Sequence, residues 1–75
     1  MIKAIIIDDE PLARMIVQEY LQPYTQIAVV QECGDGFEGI KAIQQHHPDL
    51  IFLDIQYEFS NEAVDFQVPV FVLFG

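Results

Sequence analysis

Positive charge is scarce in this chain. Of 75 residues only three are Lys or Arg, against 12 Asp and Glu, and the formal net charge is −9. The three are Lys3, Arg14 and Lys41, so no Lys or Arg follows position 41. This balance argues against nucleic acid as a partner of the segment, because a phosphate backbone is bound by cations that displace its counterions. It argues equally against an anionic membrane surface. It suits a divalent metal or a basic partner. Cysteine is as scarce: Cys33 stands alone, so no internal disulfide can form. A lone Cys closing an apolar run reads as a small buried hydrophobe rather than a redox or nucleophilic centre. Long apolar runs are missing too. No window approaches the ~20 residues of a membrane span, and the apolar opening is too short for a signal peptide. A cytoplasmic protein is expected. There is no internal repeat and no low-complexity tract. A single domain of this size buries about 60–65% of its unfolded surface, so its stability is expected to be marginal.

Two apolar runs that each end in acid organise what is present. Ala4-Ile5-Ile6-Ile7 leads into Asp8-Asp9-Glu10, and Leu50-Ile51-Phe52-Leu53 leads into Asp54. An unbroken apolar run reads as a strand buried on both faces, as in a parallel sheet covered by helices. Such strands deliver their last residues to the carboxyl edge, where open α/β sheets bind ligands. If the two strands are parallel neighbours, Asp8, Asp9 and Asp54 converge in one acidic pocket. Carboxylates so placed repel one another unless a cation lies among them. Mg²⁺ is the natural choice, since it takes hard oxygen ligands and is often held by one or two carboxylates plus a phosphate. A carboxylate is also a nucleophile able to form an acyl phosphate.

The rest of the chain supplies the connections. Residues 3–8 form the first strand. Pro11 suits the first position of a helix, and Leu12, Met15, Ile16 and Tyr20 recur at spacings of three and four as an amphipathic stripe. That helix spans about Pro11 to Leu21 and stops before Pro23. Gln26 to Cys33 forms a second strand, Gly34-Asp35-Gly36 a turn, and Gly36 to His46 a second helix carrying Phe37, Ile40 and Ile43. Phe37 and Tyr20 are read as core residues. His46 and His47, at a helix C-terminus favoured by its dipole, are not read as a metal or phosphotransfer pair. The order β-α-β-α-β with short loops implies a parallel sheet with right-handed crossovers. Ser60 can cap a short helix over residues 61–66. Residues 68–74 read as a fourth strand with Pro69 near its start. The connection into it is near the minimum for a parallel crossover, so an antiparallel return or a strand donated to another molecule stays open.

The run Ile7-Asp8-Asp9-Glu10-Pro11-Leu12-Ala13-Arg14, followed by Pro48-Asp49-Leu50-Ile51-Phe52-Leu53-Asp54-Ile55-Gln56, resembles the receiver domain of bacterial two-component response regulators. The opening looks most like the subgroup that carries a LytTR DNA-binding domain. The likeness covers residues 2–56 and implies a flavodoxin-like, CheY-like fold with strand order 2-1-3. It implies that Asp8 and Asp9 hold Mg²⁺, with the Asp54 carboxylate and the backbone carbonyl of Gln56 as further ligands. It implies that Asp54 takes a phosphoryl group from a sensor histidine kinase. Glu10 fits a helix-start acid better than a direct ligand.

Residues 1–56 are therefore read as the receiver-like portion, and 57–75 as a divergent tail. A receiver's fourth strand ends in Ser or Thr and its fifth in Lys. Here the hydroxyl position falls at about Phe74, no lysine follows Lys41, and Tyr57-Glu58 replaces the usual Met-Pro after the acceptor. Residues 61–66 also resemble the segment leading into a receiver's fifth strand, so the tail reads either as a shortened third helix or as the product of an internal deletion. Losing one preorganised donor in comparable charge-stabilised sites costs about 10²–10³ in rate. The expectation is a truncated or degenerate receiver with weak or absent output switching. A non-phosphorylated interaction module, or a receiver fragment without function of its own, is the alternative. An enzyme in the ordinary sense is not expected, as no nucleotide loop is present. Uncovered sheet edges invite pairing with another chain, so a homodimer or domain swap is expected.

Overall fold

The computed structural model describes residues 1–54 and the strand at 70–73. The elements run β1 (Ile2–Ile7), α1 (Pro11–Leu21), β2 (Ile27–Cys33), α2 (Gly36–His46), β3 (Leu50–Asp54) and β4 (Val70–Leu73). They form one sheet in the order β2-β1-β3-β4, and every pair is parallel. The fourth strand expected at 68–74 is therefore present over Val70–Leu73, and it runs parallel to β3 rather than returning antiparallel. Ser60, the short helix at 61–66, Gln56 and Phe74 lie outside the described residues.

β1 is central, and its composition explains why. Ala4, Ile5, Ile6 and Ile7 are fully buried, as a strand apolar on both alternating faces must be when helices cover both sides. The chain leaves β1 for β2 through α1, then crosses back past β1 to β3 through α2. Right-handed crossovers in opposite directions put the two helices on opposite faces. On the α2 face Ile5, Ile7, Cys33, Ala42, Ile43, Ile51 and Leu53 pack as one cluster with Val30 against it. The β1–β2 register slips between Ala4 and Ile5, from Ala4↔Val29 to Ile5↔Gln31, so β2 carries one extra residue there, and such a bulge increases local twist.

The ends of α2 are encoded in its sequence. Asp35 is the N-cap, its side chain accepting from the Glu38 amide at 2.8 Å, while the Glu38 carboxylate accepts from the Gly34 amide at 3.0 Å. The first bond satisfies one of the amides that a helix start leaves open, and the second ties the turn before the cap to the first turn of the helix. His47 ends the helix in the left-handed region at φ 48°, its N–H donating to the Ile43 carbonyl at 3.0 Å, and Pro48 follows. Gly39 is buried where α2 crosses closest to β1: an added Cβ would lie 2.6 Å from Ile7 Cδ1.

Two expectations about the core are overturned. The stripe Leu12, Met15, Ile16 and Tyr20 does not face the sheet, for all four are exposed, Tyr20 to 73%. The half-buried residues of α1 are instead Ala13, Arg14, Val17, Gln18 and Leu21. Arg14 and Gln18 bond to groups at the ends of β1 and β2, which sets the rotation of the helix and turns the other apolar stripe outward. Phe37 is likewise 70% exposed, with Lys41 Nζ 4.7 Å above its ring. The inward face of α2 is carried by Gly39, Ala42 and Ile43, because only a glycine lets the helix approach Ile7.

Candidate functional site

The register of the sheet builds the site. Ile7 pairs with Leu53, so the next residue of each strand, Asp8 and Asp54, emerges side by side at the carboxyl edge. The strand order reverses about β1, and this switch point is where open α/β sheets form their ligand crevice. Asp9 follows on the loop to α1. One carboxylate oxygen from each of Asp8, Asp9 and Asp54 lies within 4.8 Å of the other two. Asp8 and Asp54 are buried while Asp9 is exposed, so the pocket has two walled acids and one at its mouth.

Asp8 is fixed through its backbone and its side chain. Its N–H donates to the Cys33 carbonyl at 3.0 Å, tying the end of β1 to the end of β2. Its Oδ1 accepts from the Glu10 amide at 2.9 Å, which shapes the turn into α1. Its carbonyl accepts from Arg14 Nη1 at 2.6 Å. Arg14 Nε in turn pairs with Glu32 Oε1 at 3.3 Å, and Glu32 Oε2 accepts from Gln18 Nε2 at 3.1 Å. Sequence reasoning left Arg14 and Glu32 unassigned. The available signal was Arg14 and Gln18 four residues apart, which share one helix face, opposite a lone acid on β2.

The arrangement fits a divalent cation with oxygen ligands. Mg²⁺ at about 2.1 Å from two oxygens holds them at most about 4.2 Å apart. Small side-chain rotations close the difference from the observed spacing, and waters complete such a shell. Three carboxylates that repel one another gain by admitting a cation. Among the described residues the cations other than Arg14 are engaged elsewhere. Lys3, near the start of β1, donates through Nζ to the His46 carbonyl at 2.8 Å, and Lys41 lies over Phe37.

The remaining candidates are not brought to this site. The Glu10 side chain makes no cap hydrogen bond, and its carbonyl accepts from the Arg14 amide at 3.2 Å. His46 Nε2 lies 2.9 Å from Gln31 Oε1, and His47 serves as the C-cap of α2. Cys33 is fully buried; that burial, with the Glu38 and Asp35 carboxylates adding to it, pushes its thiol up to about 11. It is no thiolate nucleophile at neutral pH. No helix among the described residues is long and apolar enough to cross a membrane.

Comparison with known proteins bears on the same residues. The family model described as "Response regulator receiver domain" matches residues 4–58. The transcriptional regulatory protein BtsR of Escherichia coli (strain K12) is 50% identical over 56 residues, which cover 75% of this chain and 23% of that protein. The chain thus spans about a quarter of the length of such curated relatives. Among solved structures, the signal receiver domain of the response regulator NarL from Mycobacterium tuberculosis is similar with a TM-score of 0.75 at 26% identity, covering 95% of this chain and 62% of that one. The response regulator domain of Thermotoga maritima CheB is similar with a TM-score of 0.78 at 25% identity, over 96% of this chain and 59% of that one.

Proposed function

The chain belongs to the response regulator receiver family and has its flavodoxin-like, CheY-type fold, and from that premise we propose that it accepts a phosphoryl group on Asp54 from a sensor histidine kinase. The observation that carries this reading is the convergence of the Asp8, Asp9 and Asp54 carboxylates at the switch point of the sheet. In the proposed step an Asp54 carboxylate oxygen attacks phosphorus. The new P–O bond forms as the P–N bond to the kinase histidine breaks, and the released imidazole nitrogen takes up a proton. Asp8, Asp9 and Asp54 would hold Mg²⁺, with the Gln56 carbonyl as a further ligand carried over from the family likeness. When bound, that cation supplies charge neutralisation to the carboxylates and the phosphoryl oxygens. The end of β3 would present the Asp54 carboxylate to the phosphoryl group, and the Asp8 loop, bonded to Cys33 and Arg14, would keep the metal acids in place. Positioning and charge are most of what phosphoryl transfer requires.

The finer parts of the reading rest on particular residues. Residues 1–56 act as the receiver-like portion and 57–75 as a divergent tail. Output switching is weak or absent, because Phe74, which follows β4, stands where the family places a hydroxyl. The opening Ile7 to Arg14 supports the LytTR-type subgroup. A cytoplasmic location goes with this reading, since the proposed step needs the phosphohistidine of a kinase.

The test is to incubate the purified chain with Mg²⁺ and acetyl phosphate and record its intact mass, with Asp54→Asn alongside. Gain of one phosphoryl group by the wild type alone is expected. No gain in a chain shown to be folded would sink the phosphoacceptor reading and leave a non-phosphorylated interaction module.

A further inference from the structure

The loop that carries Asp8 and Asp9 is held by a single cation whose bonds reach both neighbouring elements, and we propose that Arg14 is the positioning residue that sets the spacing of the metal acids. The inference rests on the metal-site reading above and deepens it. Nη1 of Arg14 donates to the Asp8 carbonyl at 2.6 Å, and Nε pairs with the Glu32 carboxylate at 3.3 Å. The guanidinium lies beneath the β2–α2 turn, 3.8 Å from where a Cβ on Gly34 would stand. Its side chain is 20% exposed, against 41% for Glu32, so the group is largely enclosed at the base of the loop. Through it the peptide after Asp8, the first turn of α1 and the last residues of β2 form one connected unit. An ammonium cannot take its place, because the planar fork reaches an oxygen on each side from fixed angles.

Charge and position make opposite demands, which makes the proposal decidable. As a charge alone, a guanidinium bonded to the backbone of a metal acid opposes cation binding, so its removal tightens binding. As a positioning group, its removal frees the Asp8 peptide and loosens the acids, so binding weakens. Outer-shell partners of metal ligands are worth about 10–100-fold in affinity, and a bond to the backbone of a ligand residue belongs at the low end of that range.

The experiment titrates the folded chain with Mn²⁺ alone and counts free ion by electron paramagnetic resonance. Wild type, Asp8→Asn, Arg14→Ala, Arg14→Lys and the neutral core variant Ile43→Val are compared, each checked for folding by circular dichroism. Wild type binds and Asp8→Asn does not, if the metal-site reading holds. Arg14→Ala then binds about tenfold more weakly. Arg14→Lys, which keeps the charge without the fork, falls nearer to Arg14→Ala than to wild type, and Ile43→Val binds as wild type does. Arg14→Ala binding as tightly as wild type, or more tightly, would overturn the positioning role while leaving the metal site intact. Ile43→Val weakening binding as much as Arg14→Ala would overturn it by tracing the loss to general destabilisation. Absence of binding by the wild type would overturn the metal-site reading and this inference together.

Discussion

Replacing Gly39 by Ala sets two opposing effects against each other at the packing contact just below the acidic site. In an ordinary helix the change stabilises by about 0.8–1.0 kcal/mol, since Ala is the better helix former. Here the new Cβ would stand 2.6 Å from Ile7 Cδ1, 3.2 Å from Cγ1 and 3.6 Å from Cγ2. Cδ1 is the far end of a side chain, but Ile7 is fully buried within the α2-face cluster and has no open space to turn into. Overpacking of this kind costs about 1–3 kcal/mol, so the clash outweighs the helix gain and Gly39→Ala destabilises by about 1 kcal/mol net. Ile7→Val removes Cδ1 alone and costs about 0.5–1.5 kcal/mol by itself. In the double variant the 2.6 Å contact no longer exists. The pair should then be more stable than the sum of the two changes by about 1–2 kcal/mol, within the usual range for residues in contact. Urea denaturation followed by far-ultraviolet circular dichroism measures all four corners of the cycle. For a domain of this size each kcal/mol also moves Tm by about 4–8 °C. Additivity within about 0.5 kcal/mol, or a stabilising Gly39→Ala, would refute the reasoning by showing that Ile7 has room. A shifted Ile7 also displaces the residue after it, so Gly39→Ala is expected to weaken divalent binding at Asp8 as well.

Further outcomes follow from the structure. Asp35→Ala removes the N-cap of α2 and should cost about 1 kcal/mol, with faster hydrogen exchange at the Glu38 amide as its local sign. Cys33 should resist alkylation in the folded chain at pH 8 and react fully in urea. Since burial pushes its thiol up to about 11 from an ordinary 9.0, the unfolded chain loses that proton first as pH rises. Stability should therefore fall between those two values, by up to about 1.4 kcal/mol per pH unit from this group, and a Cys33→Ala variant should lose that slope. Mg²⁺ at a hundredfold excess over its dissociation constant should stabilise the chain by about 2.7 kcal/mol, and Asp9→Ala should abolish the shift in Tm. Both outer strands of the four-stranded sheet favour pairing with a second copy, so size-exclusion chromatography at high concentration should show a dimer, and a clean monomer there would count against it.

Much of the site was legible because strands write their burial directly into sequence. The runs before Asp8 and Asp54 are apolar on both faces, which is intelligible only for interior strands, and the first acid after each must emerge at the edge. The turn chemistry was partly direct: Pro11 marks the start of α1 and Gly34-Asp35-Gly36 the turn into α2, whereas the cap that Asp35 forms with the Glu38 amide came only from the structure. The helix faces were not legible in the same way. α1 carries one apolar stripe at Leu12, Met15, Ile16 and Tyr20 and another at Ala13, Val17 and Leu21. Periodicity accepts both, and the larger side chains made the first look like the core. Phe37 misled for the same reason, since aromatic bulk does not reveal which face of a helix is turned inward.

Among the described residues the sequence by itself determined the elements, their order and the acids that follow β1 and end β3, because those depend on local patterns of two and of three to four residues. Tertiary structure alone decided three things. It chose the rotation of α1, through the Arg14 bond to the Asp8 carbonyl and the shared Glu32 carboxylate. It set β4 parallel beside β3 where the short connection left the direction open. It brought Asp8, Asp9 and Asp54 to one point, through a register that pairs Ile7 with the distant Leu53. Each is a relation between segments distant in the chain, and no local period encodes which partner a face, an edge or a carboxylate will meet.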